Sequence, residues 1–177
     1  MSRMYLSAPL PFVGQKRMFA RHFAEVARQY PEDTIFVDLF GGSGLLSHIA
    51  KHVHPGARVI YNDFDNYRFR LLNIRRTNAL LDQIRPIASR FGRHKAITGE
   101  AREEVFALLE QEEREHGYLD FITLSSSLLF SMKYKLSIDG MRKEALYNNV
   151  RKAPYPDFTD YLEGLEIESC DYRELFE

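Results

Sequence analysis

The chain has 177 residues and a formal net charge of −1; hydrophobic residues make up 45% of it and charged residues 28%. This length suits one domain with a core, and this composition excludes a disordered chain. No apolar run approaches the roughly 18 residues of a membrane span, and residues 1–5 lack the apolar stretch of a signal peptide. Cys170 is the sole cysteine, so an internal disulfide is excluded. We therefore expect a cytoplasmic protein with no membrane contact.

The first predicted helix covers residues 14–30, because apolar side chains recur there near helical spacing. Two prolines in residues 7–13 keep the preceding segment out of any helix. Lys16 falls in the first turn of the helix, where the helix dipole disfavours a cation. It is either an ordinary surface lysine or a lysine placed to meet an anion near a glycine turn.

A strand–helix–strand–helix order is predicted next. Residues 34–39 form a continuous apolar run, which is typical of a strand buried on both faces of a parallel sheet. A crossover helix is predicted over residues 45–53 and a second strand over residues 57–62, after which Asp63 or Asp65 caps another helix. This order predicts an α/β fold with a parallel sheet.

The alternation ends near Pro86, and a mostly helical insertion is predicted from there. It contains a charged helix over residues 102–116, a turn at 138–140 and a helix over 141–150, whereas residues 121–132 are ambiguous between strand and helix.

A third strand at residues 165–168 then returns the chain to the sheet. The predicted domains are a cofactor-binding part over 1–85, the insertion over 86–163 and the return over 164–177.

Charge is unevenly distributed within the insertion. Residues 100–120 hold eight acidic and two basic side chains, whereas residues 121–155 hold six basic and two acidic ones. Interleaved cations and tyrosines suit phosphate contacts and base stacking, although an ordinary solvated face explains the composition equally well. The predicted nucleic-acid-binding residues are Lys133, Tyr134, Lys135, Arg142, Lys143, Arg151 and Lys152.

A glycine turn follows the first predicted strand. Gly41, Gly42 and Gly44 permit positive φ and a close approach of ligand to backbone, and the amides at the helix start favour an anion. A purely structural turn is the alternative. The strand before the turn ends at Asp38, and the next strand ends at Asp63, whose carboxylate can take both hydroxyls of a ribose while the base lies against Phe64.

Two classes of nucleotide ligand compete for this turn. The dinucleotide fingerprint is incomplete, because Ser47 stands where its third glycine belongs. A diphosphate also gains nothing from Asp38, whereas a ligand with an ammonium group does. S-adenosylmethionine combines ribose, adenine, ammonium and carboxylate, so we predict it as the cofactor.

The histidines around the end of the predicted crossover helix and the single cysteine are predicted to be structural rather than catalytic. His48, His52 and His54 lack the glutamate of the zinc-protease pattern, so we predict a solvated helix end and no metal. Cys170 follows Ser169 rather than a proline, so it lacks the context of a cytosine-C5 methylating nucleophile. We predict a small, half-buried side chain there.

Several of these segments resemble the N-terminal part of the Dam-like adenine-N6 DNA methyltransferases. Residues 9–17 are similar to the family's opening cofactor segment, with Gln15 in place of its second glycine. Residues 36–44 resemble its main cofactor motif, residues 62–65 its ribose-binding motif, and residues 170–172 the pair that flanks the cofactor adenine. The resemblance implies a donor site formed by Phe12, Gly14, Lys16, Asp38, Phe40, Gly41, Gly42, Ser43, Gly44, Asp63, Phe64, Asp171 and Tyr172.

The resemblance also implies a partner and a missing motif. The insertion lies where that family keeps its target-recognition domain, which implies double-stranded DNA as the partner. The family's catalytic Asp-Pro-Pro-Tyr accepts the amino group of a flipped adenine, and no Pro-Pro occurs in the 177 residues. We therefore expect no catalytic residue here and no methyl transfer from this chain alone.

The expected function is the S-adenosylmethionine-binding part of a site-specific adenine-N6 DNA methyltransferase related to a phage or a restriction–modification system. Its fold would be the first three strands of a Rossmann-like methyltransferase sheet. Three alternatives stay open: a non-catalytic cofactor- or DNA-binding remnant of that fold, a methyltransferase for another acceptor, and a dinucleotide-dependent enzyme.

Overall fold

The structure is a computed structural model that describes residues 3–14, 16–131, 133–158 and 160–176. Its helices are α1 (Ala20–Ala27), α2 (Leu45–Val53), α3 (Tyr67–Leu72), α4 (Ile74–Ala88), α5 (Gly99–His116), α6 (Phe121–Leu128) and α7 (Ile138–Arg142). Its strands are β1 (Phe36–Asp38), β2 (Val59–Asn62), β3 (Ala96–Ile97), β4 (Leu146–Tyr147) and β5 (Glu166–Glu168). Short 3-10 helices cover Lys16–Met18 and Tyr172–Phe176. None of the helices in the described ranges combines the length and apolar character needed to cross a bilayer.

The chain divides into two compact units. We call the first the sheet unit, which comprises Met1–Leu72 and Phe158–Glu177, and the second the helical unit, which comprises Asn73–Asp157. The sheet unit therefore takes residues from both ends of the chain, and the helical unit is formed by the segment between them.

The sheet unit is built on a parallel sheet with the order β1–β2–β5. Phe36 pairs with Val59 and Ile60 with Glu166, so β2 lies in the centre and is the most buried strand. Helix α2 packs against α1 through a cluster of buried small and branched side chains: Ala20, Ala24, Leu45 and Ile49. The predicted α/β class and parallel sheet are confirmed, whereas the limit to the first three strands of a longer sheet stays a prediction.

The helical unit has a core between its helices. Side chains from α4, α5 and α6 are fully buried, among them Leu81, Ile84, Phe106, Leu109 and Leu124. Beside them, β3 and β4 form an antiparallel pair in which Ala96 lies opposite Tyr147 and Ile97 opposite Leu146.

Several predicted elements differ from the structure. The helix predicted over residues 141–150 is wrong: α7 ends at Arg142, and β4 follows within that range. Residues 138–140, predicted as a turn, belong to α7, because the Ser137 hydroxyl caps that helix by accepting a bond from Gly140 N at 3.0 Å. Within the ambiguous segment 121–132, residues 121–128 form α6, which the Asp120 carboxylate caps through Thr123 N at 3.0 Å.

Candidate functional site

The carboxyl ends of β1, β2 and β5 meet around a cavity of about 330 Å³ in the sheet unit, which we call the edge cavity. This edge of an open parallel sheet is where ligands bind, and small-molecule sites have volumes of roughly 300–1,000 Å³. Six of the predicted donor-binding residues line the edge cavity: Phe40, Gly41, Gly42, Phe64, Asp171 and Tyr172.

Three aromatic side chains of the edge cavity are exposed. Phe40 is 66% exposed, Phe64 68% and Tyr172 42%. The ring centroids of Phe40 and Tyr172 lie 5.0 Å apart with the rings tilted against each other. Exposed aromatic rings around a concave site offer stacking surfaces to a planar base such as adenine.

The Asn62 side chain joins the ends of the three strands beneath the edge cavity through hydrogen bonds. Its buried amide nitrogen donates to the carbonyls of Leu39 at 3.1 Å and Cys170 at 3.0 Å, and Cys170 N donates to its amide oxygen at 3.2 Å. The sequence motif contains Asn62 but does not assign this function. A buried polar residue at the end of an apolar strand is the signal that identifies it.

The segment after β5 carries two titratable groups of the edge cavity. Partial burial and the nearby carboxylates of Glu174 and Glu168 raise the pKa of the Cys170 thiol, which disfavours the thiolate form. The Arg173 guanidinium donates to both oxygens of Asp171 at 2.8 Å and lowers the pKa of that carboxyl. Cys170 is half-buried, as predicted.

The glycine turn is shaped by Tyr61, a buried residue that the sequence motifs do not single out. A Cβ on Gly41 would lie 2.3 Å from the Tyr61 ring, and one on Gly44 would lie 3.2 Å from the same ring. Gly42 and Gly44 adopt φ values of +53° and +68°, and the Tyr61 hydroxyl donates to the Gly42 carbonyl at 2.7 Å. The glycines are therefore required by the protein's own packing, besides any contact with a ligand.

Lys16 lies at this turn, although the sequence separates them by more than twenty residues. Its Nζ donates to the Phe40 carbonyl at 2.8 Å and lies 3.8 Å from Asp38 Oδ1. Asp38 in turn accepts a bond from Ser47 Oγ at 2.8 Å. Lys16 therefore lies near the glycine turn with Asp38 as its anionic neighbour, and its contact with a ligand anion stays a prediction. Neighbouring Gln15 lies outside the described residues.

Three further predicted donor-site residues lie before α2: Phe12, Gly14 and Ser43. The Phe12 ring would be 3.0 Å from a Cβ on Gly42, and Gly14 adopts a φ of +74°. Ser43 is buried within the turn.

Asp63 is turned into the protein rather than toward the edge cavity. It is only 4% exposed; its Oδ1 accepts a bond from Tyr67 N at 2.6 Å and lies 2.9 Å from the Tyr61 hydroxyl oxygen, whose single proton can be donated either to it or to the Gly42 carbonyl. Its Oδ2 accepts a bond from Arg68 N at 2.8 Å, so the carboxylate caps α3. Burial raises the pKa of Asp63 despite these donors. The carboxylate of this segment that lines the edge cavity is that of Asp65.

Two histidines, His48 in α2 and His54 just after it, are buried and hydrogen-bonded to backbone groups. His48 is buried; its Nε2 accepts a bond from Tyr5 N at 2.9 Å and its Nδ1 donates to the Tyr161 carbonyl at 2.8 Å. Burial lowers the pKa of His48, which matches this neutral form. His54 is also buried and bonds to the Ala27 carbonyl at 2.8 Å, so the expected solvated helix end is wrong for both. In the part of the chain that the structure describes, no three histidine, cysteine or acidic residues are grouped for a metal ion.

The predicted nucleic-acid-binding residues all lie in the helical unit, where three of them form ion pairs. Lys133 and Lys135 bind the Glu144 carboxylate at 2.5 and 3.0 Å. Arg142 binds Glu103 at 2.9 Å and Glu110 at 2.7 Å. The acidic helix and the basic segment, whose charge difference the sequence shows, therefore neutralise each other in part within the unit.

The other four predicted residues are placed differently. Lys143, Arg151 and Lys152 are exposed, and none of them forms an ion pair within the described ranges. The Arg151 guanidinium lies 4.3 Å from the centre of the Tyr155 ring. Tyr134 is half-buried and lines, with Lys133, a second cavity of about 490 Å³.

Comparison with known proteins identifies the family of the chain. The sequence model of the D12 class N6 adenine-specific DNA methyltransferases matches residues 12–162. A protein of Haemophilus influenzae named "Putative methyltransferase" is 38% identical over 181 residues, which cover 98% of this chain and 59% of the relative. The chain thus spans less than two thirds of that relative's length, and no solved structure matches it. The chain belongs to the D12 class of N6 adenine-specific DNA methyltransferases.

Proposed function

We propose that this chain is the donor-binding part of a DNA adenine-N6 methyltransferase and holds S-adenosylmethionine in the edge cavity. The observation that carries the proposal is the composition of that cavity. A glycine turn, three exposed aromatic rings and the Asp65 carboxylate surround it, and Lys16 lies at the turn. Membership in a methyltransferase family supports S-adenosylmethionine as the methyl donor.

Each part of the donor has a matching group in the sheet unit. The adenine would stack among Phe40, Phe64 and Tyr172, and the ribose hydroxyls would donate to the Asp65 carboxylate, while Asp63 holds that segment by capping α3. The donor carboxylate would meet Lys16 and the amides of the glycine turn. When bound, the donor supplies an activated methyl group.

The test of this site is calorimetric titration with S-adenosylmethionine. We expect the purified chain to bind it and Lys16→Met to bind about tenfold more weakly, because a hydrogen bond to a charged group contributes roughly 1.5–3 kcal/mol. Lys95→Met is the matched control, since Lys95 is exposed in the helical unit. An unchanged affinity in Lys16→Met, or no binding by the unmodified chain, would contradict the proposed site.

For the acceptor, we propose double-stranded DNA bound by the helical unit. Lys143, Arg151 and Lys152 are the exposed cations that would contact phosphates, and Tyr134 would contact a sugar or base. Lys133, Lys135 and Arg142 would support this surface through their ion pairs rather than meet phosphates directly. A relation to a phage or a restriction–modification system stays a prediction.

A DNA titration with labelled S-adenosylmethionine tests this second part. We expect salt-sensitive binding without methyl transfer, because the 177 residues contain no Asp-Pro-Pro-Tyr to orient the amino group of the adenine. Changing Lys143, Arg151 and Lys152 to glutamine should lower the slope of log K against log salt by about 0.9 for each phosphate that the variant no longer neutralises.

Arg142→Gln serves as the comparison in that titration. It should destabilise the helical unit, because Glu110 loses its ion pair and Glu103 keeps only Arg102, while the salt slope stays unchanged. An unchanged slope in the triple variant would contradict the DNA surface. Labelled methyl groups on DNA would contradict the expected inactivity of the chain alone.

A further inference from the structure

The segment before the first helix is held by side chains of other elements. Residues 3–14, which we call the opening segment, contain no helix and no strand. Leu10 N donates to the Tyr67 hydroxyl at 2.9 Å, and that hydroxyl lies 3.2 Å from the Leu10 carbonyl. The Arg70 guanidinium donates to the Pro11 carbonyl at 2.8 Å. The backbone at residues 10–11 is therefore held by two side chains of α3.

Tyr67 connects the backbone at residues 10–11 to the segment that follows β2. It is fully buried, and its backbone N–H donates to Asp63 Oδ1 at 2.6 Å. Its ring packs edge-to-face against Phe12 with centroids 5.7 Å apart. One residue thus links the capping carboxylate after β2, the anchored backbone of Leu10 and the aromatic ring that packs beside the glycine turn.

Only a short stretch of chain leads from the backbone at residues 10–11 to Lys16, which lies at the glycine turn. Phe12 packs near Gly42, Gly14 turns the backbone at a φ of +74°, and Lys16 then donates to the Phe40 carbonyl. Few residues separate Leu10 from Lys16, which begins the 3-10 helix Lys16–Met18, and the described residues between the two form no strand or helix. A shift at Leu10 would therefore be passed on to the start of that helix, where Lys16 lies.

We infer that Tyr67 and Arg70 are positioning residues of the donor site, which hold the opening segment so that Lys16 meets the donor's carboxylate. This inference rests on the proposed function. It goes further by assigning a function to two side chains that do not line the edge cavity and that the sequence motifs did not select. The effect of Tyr67 should reach the ligand through Lys16, so it should depend on the ligand's carboxylate.

Tyr67→Phe isolates the anchoring bond, because the ring and its packing against Phe12 are kept. The Leu10 amide and carbonyl, which are buried, then lose their partner. We expect affinity for S-adenosylhomocysteine to fall about three- to tenfold, the usual range for one lost hydrogen bond. Affinity for 5′-methylthioadenosine, which lacks the amino-acid carboxylate, should stay the same.

The experiment titrates both ligands into the unmodified chain, Tyr67→Phe, Arg70→Met and the double variant Lys16→Met/Tyr67→Phe. The double variant should lose no more affinity than Lys16→Met alone, since both changes remove the same contact. Tyr30→Phe is the control, because Tyr30 is 52% exposed and lies outside the opening segment. Hydrogen exchange at the Leu10 amide should accelerate in Tyr67→Phe even without ligand.

The outcomes separate this inference from the proposed function. If the unmodified chain binds neither ligand, the proposed function fails and the inference falls with it. If it binds both and Tyr67→Phe loses neither, the inference alone is overturned. Equal losses for both ligands would also overturn it, because they would show general destabilisation of the sheet unit. A loss confined to S-adenosylhomocysteine supports it.

Discussion

Replacing Gly41 by alanine is expected to lower the free energy of unfolding by about 3 kcal/mol, at the upper end of the usual cost of overpacking. The added Cβ would lie 2.3 Å from two carbons of the Tyr61 ring and 2.9 Å from the Asn62 carbonyl oxygen. Tyr61 has no room to withdraw, because it is fully buried and its hydroxyl lies within hydrogen-bond distance of the Gly42 carbonyl and Asp63. The clash would displace the glycine turn, so donor binding should be lost as well.

Urea unfolding of the variant measures the first effect, and Gly56→Ala provides the matched control. A Cβ on Gly56 meets no atom within 4 Å, so that change should alter stability by less than about 0.5 kcal/mol. Similar midpoints for the two variants would mean that Tyr61 does not determine the residue at position 41.

Asp63→Ala is expected to abolish donor binding and to cost about 3 kcal/mol of stability, the sum of a lost helix cap and a buried hydroxyl left without its carboxylate partner. The variant removes the carboxylate that accepts from Tyr67 N and Arg68 N and leaves the Tyr61 hydroxyl with the Gly42 carbonyl alone. Because Tyr67 also holds the opening segment, loss of the Asp63 carboxylate should displace Lys16 as well. Calorimetry and urea unfolding together measure both effects, and an unchanged donor affinity would remove Asp63 from the site.

Asp65→Ala tests the proposed ribose contact separately from the capping of α3, which Asp63 provides. Asp65 is exposed and lines the edge cavity, so its loss should change stability by less than about 0.5 kcal/mol. Donor affinity should fall about tenfold or more, because a charge-assisted bond to the ribose is removed. If Asp65→Ala instead bound the donor normally, the ribose-binding carboxylate would be Asp63, as the family resemblance implies.

Much of the sheet unit follows from local sequence patterns. The apolar runs before Asp38 and Asp63, the helical period of residues 45–53 and the glycines between them predict a parallel α/β arrangement, which the structure confirms. These patterns are local, since each depends on side chains within a few positions along the chain. The resemblance to adenine-N6 methyltransferases depends on the same segments, and the family comparison bears it out.

Contacts between segments that are far apart in the chain decide the features that local sequence patterns did not predict correctly. The sequence predicts a helix over residues 141–150, but β4 pairs there with β3, about fifty residues earlier. Charge counts made Lys133, Lys135 and Arg142 candidates for phosphate contacts, but acidic partners supplied by the fold bind all three.

By itself, the sequence determines the fold class, the family and the strand ends that surround the edge cavity, because periodicity and turn residues are local properties. The tertiary structure alone decides which acid faces the edge cavity and which side chains hold the opening segment. The reason is that burial and hydrogen bonding depend on neighbours in space. Asp63 caps α3 while Asp65 lines the cavity, and Leu10 is anchored by Tyr67, which lies 57 positions further along the chain.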